Sequence, residues 1–348
     1  MRGCSRVTEP RVDTVRLQHL ARAYREAATL MAAIELGLFT RVSAGNDTER
    51  ALASALGLTP TNTERLVSAC VGLGLLERRG ERVGNAPDVE RYLVEGRPGY
   101  AGAWMLFTKP DWHEWGRLAE HLRRTGPPVV LGKYAEGFGV AEARTYHEAT
   151  YAIGLGAGRR FARHVPLAHR RRLLDLGGGS GAYCIAACQA NPHLTAVVLD
   201  LPPVVEVARE FIASHGLAAR ITAQAGDFTR DPLPRDADVV IMASNLPQYS
   251  REIIQGVVGR AFEALLPGGE MHVIGEMLDA ERRGPADPAL WGLAEAIHGS
   301  TGIAHSVTEC VDYLERAGFR DVVAREFVPG VLVRVTGAKG APQKGPEP

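Results

Sequence analysis

The feature that most constrains the fold is Arg172-Leu173-Leu174-Asp175-Leu176-Gly177-Gly178-Gly179-Ser180-Gly181-Ala182, an apolar run that stops in glycines and then turns amphipathic. It reads as strand, tight turn and helix. Glycine lets the main chain take positive φ and lets a ligand approach the backbone closely. The helix that follows presents free N–H groups at the positive end of its dipole. A dinucleotide turn is spaced G-x-G-x-x-G, whereas Gly177, Gly179 and Gly181 are spaced G-x-G-x-G, with Asp175 inside the strand end. No Gly-Lys-Ser/Thr closes the turn, so it is not a P-loop. A second apolar run, Thr195–Asp200, ends in an acid at the interval, about twenty residues, expected of a ribose-binding carboxylate.

At 348 residues the chain is long enough for two domains. Acids and bases balance at 40 each, which leaves no strong field to attract nucleic acid or a membrane surface. There is no apolar stretch of membrane-spanning length, and Met1-Arg2-Gly3-Cys4-Ser5-Arg6 lacks an apolar signal core. The expectation is a soluble, cytoplasmic protein. Five cysteines, at 4, 70, 184, 188 and 310, show no metal-binding spacing. Cys184 and Cys188, one helical turn apart, are expected as small buried apolar residues.

From Val15 to Leu38 apolar residues recur at helical spacing. Glu49–Leu56 ends at Gly57, and Thr61–Leu73 follows Thr59-Pro60, a capping residue and a first-turn proline. Two short strands then flank Gly80 within Gly74–Val83. Helix, helix and hairpin in this order suggest a winged helix. Its second helix carries one base, Arg65, and one acid, Glu64, too little cationic charge for DNA phosphates, so packing or dimerisation is the expected role. Between Gly99 and Tyr151 aromatics concentrate, including Trp104, Trp112, Trp115, Tyr134 and Tyr146. They are expected as a helical connector, some of them lining an aromatic substrate pocket.

The remainder alternates strand and helix, with strands expected at Arg172–Leu176, Thr195–Asp200, Ile221–Gly226, Val239–Ala243, Glu270–Glu276, Asp321–Glu326 and Val331–Thr336. Such alternation gives a doubly wound, mostly parallel sheet with its ligand crevice at the carboxyl ends of the strands. Those ends collect Gly177–Gly181, Asp200-Leu201, Gly226-Asp227-Phe228, Ala243–Tyr249 and Glu276. The tail from Gly337 is low in complexity and expected to be disordered.

The glycine turn matches the Asp/Glu-x-G-x-G-x-G turn of S-adenosylmethionine-dependent methyltransferases. Together with Leu199-Asp200-Leu201-Pro202, Ala225-Gly226-Asp227-Phe228 and Leu265-Leu266-Pro267-Gly268-Gly269-Glu270, it resembles the acetylserotonin/caffeate O-methyltransferase family in order and spacing. Glu35-Leu36-Gly37-Leu38-Phe39 and Gly72-Leu73-Gly74-Leu75-Leu76 are similar to that family's winged-helix dimerisation domain. The resemblance covers about residues 15 to 336 and implies a Rossmann-like α/β domain behind a mainly helical winged-helix domain. The expected boundaries are 13–98 for dimerisation, 99–165 for the connector, 166–337 for the methyltransferase domain and 338–348 for the tail. It further implies a homodimer that takes S-adenosylmethionine and a small-molecule acceptor. Asp175, Gly177, Gly179 and Ser244 would hold the methionine end of the cofactor, Asp200 the ribose, and Leu201, Gly226, Asp227 and Phe228 the adenine.

The family's catalytic histidine is absent. Ser244-Asn245-Leu246-Pro247-Gln248-Tyr249 occupies its segment, with Pro247 at the histidine position. Of the two carboxylates that flank the histidine in the family, Glu276 matches one and the other falls at or near Ala304. Methyl transfer to an ionised or carbon nucleophile needs mainly in-line positioning. Otherwise a replacement base is expected among His298, Tyr249 and His305, with Trp104, Tyr146, Asn245, Trp291 and His298 as acceptor contacts. His298 with Glu276 or His305 lacks the spacing of a metal set, so no metal is expected.

Overall fold

A computed structural model describes residues 12–129 and 138–340. Cys4, Tyr134 and residues 341–348 lie outside the described residues. The chain divides into two compact units that part between Leu106 and Phe107.

In the first unit, the apolar run from Val15 forms α1 (Val15–Arg22) and α2 (Tyr24–Glu35) and leads into α3 (Leu38–Ser43). At Ala23 the N–H turns to the Leu20 carbonyl, tightening the ladder for one turn. Helix α4 (Glu49–Leu56) is capped by Thr48, whose hydroxyl accepts from Ala51 N–H. Helix α5 (Pro60–Gly72) is capped in the same way by Thr59. The hairpin β1 (Leu76–Arg79) and β2 (Arg82–Asn85) follows, then α6 (Pro87–Tyr92) and α7 (Gly102–Leu106). Leu38, Phe39, Leu52, Val67, Cys70, Leu76 and Val83 form the core. Met105 and Leu106 also pack on it, so the expected connector, 99–165, is divided, its first residues drawn to the apolar core of the first unit. Every residue of α1 is exposed, Leu17 and Leu20 by more than half.

The second unit begins with a 3-10 turn (Lys109–Asp111), α8 (Trp112–Trp115), α9 (Leu118–His121) and the long α10 (Val140–His164). Then come β3 (Arg172–Leu176), α11 (Ala182–Ala190), β4 (Thr195–Asp200), α12 (Pro202–Ser214), β5 (Ile221–Ala225), β6 (Ala237–Ala243) and α13 (Arg251–Ala264). The chain closes with β7 (Leu265–Gly275), α14 (Ala286–His298), α15 (Val307–Ala317), β8 (Arg320–Val328) and β9 (Leu332–Ala338). The seven strands lie in the order β5-β4-β3-β6-β7-β9-β8. The first five run parallel, and β9 joins β7 and β8 antiparallel.

Side chains alternate along each strand, so each strand feeds two cores. Leu173, Ala196, Val198, Val239 and Ile241 pack with Phe161 of α10, Cys184 and Cys188 of α11, and Val205 and Ile212 of α12. Leu174, Leu176, Val197, Val240 and Met242 pack with Ile254 and Val258 of α13 and Leu314 of α15. The two cysteines are therefore core side chains. The last strand runs through Ala338, paired with Glu270, and Lys339 Nζ donates to the carbonyls of Phe262 and Leu265. Residues 337 and 338 thus belong to the sheet rather than to the low-complexity tail. Backbone pairing overrides their composition.

Candidate active site

Strand β3 is hydrogen-bonded to β4 on one side and β6 on the other. The order of strands reverses there, so the loops leaving β3 and β6 diverge and open a crevice. The glycine turn occupies its floor. Gly177 and Gly179 have φ of 67° and 56°, a conformation that side chains rarely adopt. A Cβ on Gly177 would stand 2.6 Å from Asn245 Nδ2 and 2.9 Å from Phe228 Cε1, and one on Gly179 would stand 2.6 Å from His147 Cε1. Three side chains from distant segments therefore close on bare backbone.

Asp200 ties the turn to β4. Its Oδ2 accepts from Gly179 N–H at 2.8 Å and its Oδ1 from Leu201 N–H at 2.7 Å. Burial pushes the Asp200 carboxyl up to about 6, even with those two donors holding it down. Asp175 lies beneath the turn, its Oδ2 2.7 Å from where a Gly178 Cβ would stand. Burial, with a smaller push from Asp200, raises it to about 7 against the Cys184 thiol, which donates to Oδ2 at 3.6 Å. Gly226 N–H donates to the Asp200 carbonyl at 2.9 Å. Asp227 Oδ1 accepts from Thr229 N–H and Oγ1, and its Oδ2 pairs with Arg230 at 2.8 Å. Phe228 is buried and meets Tyr249 edge to face, centroids 5.4 Å apart. Leu201 packs against the buried cluster of Ala143, Val204 and Val207, as does Phe138. Ser244 follows β6 with φ of 57°, its N–H still donating to the Ile274 carbonyl.

The residues from Asp175 to Ser244 expected at the cofactor thus lie at the carboxyl ends of neighbouring strands. Their donor and acceptor set suits a ligand with a cationic end, a vicinal diol and a flat heterocycle. Carboxylates raised by burial gain from a nearby cation, Asp200 has lone pairs for a diol, and Phe228 offers an aromatic wall.

The acceptor side is assembled differently. Leu246–Gln248 forms a 3-10 turn in which Pro247 is buried and holds no group that can take a proton. Helix α14 packs against this turn and against α8 and α9. Trp291, Glu295 and His298 share one face of it, being four and seven residues apart. His298 Nε2 lies 3.8 Å from Asp111 Oδ2. Glu295 Oε2 accepts from Ser300 Oγ at 2.5 Å. A Cβ on Gly302 would stand 2.2 Å from the Pro247 carbonyl oxygen and 2.6 Å from Glu295 Cγ, so Gly302 approaches both this carboxylate's stem and the segment where the base is missing. Glu276, just past β7, is raised by burial and by Asp287.

Tyr249 is buried, and desolvation, with Asp200, Asp227 and Glu295 nearby, drives its phenol far above the usual range. It stays protonated at neutral pH and is a donor there. His305 has both ring nitrogens engaged, Nδ1 with Tyr313 Oη and Nε2 with the Tyr249 carbonyl, each at 3.0 Å. Its geometry is that of a structural histidine. The Tyr146 ring meets Phe107 at 4.9 Å. Trp104 belongs to the first unit. Asn245, expected at the acceptor, is placed at the glycine turn, its Nδ2 donating to the Leu176 carbonyl at 2.9 Å.

Three residues escaped the sequence reading. His147 sits in the buried stripe of α10 with Ala143, Gly158 and Phe161, a polar residue at an apolar helical position that could have marked it. Asp111 and Glu295 belong to no motif and emerge only from packing. Among the described residues no cluster of three or more His, Cys, Asp or Glu side chains forms a metal site.

A parallel sheet reversing order at a G-x-G-x-G turn, with an acid at the end of the next strand and an antiparallel β9 inserted between β7 and β8, fits an S-adenosylmethionine-dependent methyltransferase of the doubly wound class, and the relatives place the chain in it. Residues 138–320 match the O-methyltransferase domain, and 18–95 match the O-methyltransferase dimerisation domain. The chain belongs to the O-methyltransferase family. It is 33% identical over 333 residues to 3-hydroxy-5-methyl-1-naphthoate 3-O-methyltransferase of Streptomyces sahachiroi, covering 93% of this chain and 94% of that one. It is 30% identical over 317 residues to the N,N-dimethyltransferase OxyT of Streptomyces rimosus, covering 87% and 90%. Human N-acetylserotonin methyltransferase, solved in complex with S-adenosylmethionine, superposes with a TM-score of 0.81 at 27% identity over 96% of this chain and 99% of that one.

Proposed function

We propose that this enzyme methylates the oxygen or carbon of a small aromatic or polyketide-like metabolite in the cytoplasm, without the family's histidine base. The observation that carries the reading is Pro247 at the end of β6, facing a helix that brings His298 beside Asp111. S-adenosylmethionine supplies an electrophilic methyl group when bound. Asp200 holds the ribose hydroxyls, the glycine turn the methionine end, and Asp227 and Phe228 the adenine. His147 faces the same turn from α10. Trp291 and Tyr146 are proposed acceptor contacts. His298 takes the acceptor proton and Asp111 orients the imidazole and stabilises its cation, while Tyr249 donates to the acceptor and Glu276 supports it. An acceptor that is already ionised, or that attacks through carbon, needs only their positioning.

Residues 13–98 are proposed to pair two copies of the chain. The exposed apolar side chains of Leu17, Leu20 and Tyr24 on α1 and α2 support this, as does the dimerisation-domain match.

The test is calorimetric titration with S-adenosylmethionine and S-adenosylhomocysteine, followed by transfer of labelled methyl to a panel of hydroxylated naphthoates and polycyclic phenols. Binding with transfer supports the reading. Binding without transfer to any acceptor supports a second one, a cofactor-binding protein of the same fold with another activity, which the same proline favours. If neither ligand binds, a regulatory winged-helix role is the alternative.

A further inference from the structure

At the end of β6 the chain holds two unfavourable features side by side. Ser244 takes a left-handed φ of 57°, uncommon for a residue with a side chain. The next residue, Asn245, is buried, and its Oδ1 is fully enclosed with no hydrogen-bond partner among the described residues. Folding selects against buried acceptors left unmade, and local strain beside a crevice tends to accompany function.

The orientation of the carboxamide is fixed. One end is 2.9 Å from the Leu176 carbonyl oxygen, which only an N–H donor tolerates, so that end is Nδ2 and the other is the acceptor. The amide is also pressed against the glycine turn, Nδ2 lying 2.6 Å from where a Gly177 Cβ would stand. Asn245 therefore offers a preset carbonyl oxygen beside the first glycine of the turn, between β3 and β6.

A methionine-bearing nucleoside brings three kinds of donor to this crevice. Asp200 suits the ribose hydroxyls and Asp227 lies toward the adenine end, Asp200 already tied to the N–H groups of Gly179 and Leu201 and Asp227 to that of Thr229. The α-ammonium is left, and it requires acceptors at the glycine turn. We infer that Asn245 Oδ1 is the side-chain acceptor for the α-ammonium of the cofactor, an assignment that rests on the glycine turn being the cofactor site. The strained Ser244 backbone is what delivers the amide there. A cation at this point also faces Asp175 and Asp200, which burial leaves poorly solvated.

The experiment compares S-adenosylhomocysteine with its deaminated analogue, identical but for the α-amino group, by calorimetry on the full-length protein. Wild type should bind the amino form at least about tenfold more tightly, a difference of ~1.4 kcal/mol. Asn245→Leu should erase that preference while binding the deaminated analogue within about twofold of wild type. Should the leucine variant fail to fold, Asn245→Ala carries the same comparison. A preference that survives the substitution, or equal loss of both ligands, overturns the inference. Failure of wild type to bind either ligand overturns the cofactor site itself, and the inference with it.

Discussion

The two halves of the crevice are built on different principles. On the cofactor half, functional groups follow directly from strand ends, and main-chain bonds set their positions: Gly177 N–H to Leu199, Gly179 N–H to Asp200, Gly226 N–H to Asp200. On the acceptor half, Asp111, Pro247 and the stretch from His298 to Gly302 come from three separated segments, and side-chain packing brings them together. The first half is a property of the sheet's topology. The second can change one side chain at a time, as the proline at the base position shows, while the strands stay in register.

The sharpest way to break this comparison is to place a side chain in the turn. Gly179→Val must accept φ of 56° and a Cβ 2.6 Å from the His147 ring. S-adenosylhomocysteine affinity should fall by about 100-fold or more, ~2.7 kcal/mol, with the circular dichroism spectrum unchanged. Retained affinity would mean that backbone geometry does not define the cofactor half. On the acceptor half the effect should be smaller and confined to turnover. His298→Ala is expected to lower kcat by about tenfold or more, leaving cofactor affinity within about twofold of wild type. An unchanged kcat would take His298 out of the proton path.

What could be read in the sequence divides along the same line. Strand ends, the glycine spacing and Asp200 were legible because their geometry is local, fixed by continuous apolar runs buried on both faces and by positions of positive φ that favour glycine. The acceptor half was not, since the approach of His298 to Asp111 or of Glu295 to Pro247 spans more than 45 residues and depends on how α14 packs. Asn245 shows the limit well. Its place after β6 suggested the acceptor, but the left-handed Ser244 turns it to the glycine loop. Elsewhere, apolar spacing could not show that Val15–Glu35 is two helices, because the break at Ala23 leaves the periodicity nearly intact. Composition likewise hid Gly337 and Ala338 from the sheet, where pairing needs only their backbone.

A third prediction concerns the carboxylate beneath the turn. The folded-state pKa of Asp175 is raised to about 7 by burial, above the unfolded value of about 3.9. The folded form then holds the proton more tightly, which favours folding fully below about pH 4 and is lost as pH climbs through about 7. Asp175→Asn has no charge to bury. Its melting temperature should therefore gain on wild type as pH rises from about 4 to 8, by ~5 °C on the scale of a domain this size. A difference that is flat with pH would mean that the carboxyl is solvated in the folded protein.

The smallest effect tests the same electrostatics from the ligand's side. Asp175 and Asp200, at about 7 and about 6, are partly protonated near neutrality because burial disfavours their charged forms. A cation entering the crevice favours those charged forms and lowers both pKa values, so binding near pH 6.5 should release protons. S-adenosylmethionine carries a sulfonium that S-adenosylhomocysteine lacks, and should release more, the difference being a fraction of one proton. Calorimetry in buffers of different ionisation enthalpy measures it directly. Release should fade at pH 8.5, where both carboxyls are already ionised, and in Asp175→Asn it should shrink to the part owed to Asp200. Equal release by the two ligands would place the sulfonium too far from these acids to be felt, and would assign their raised pKa values to the support of the turn alone.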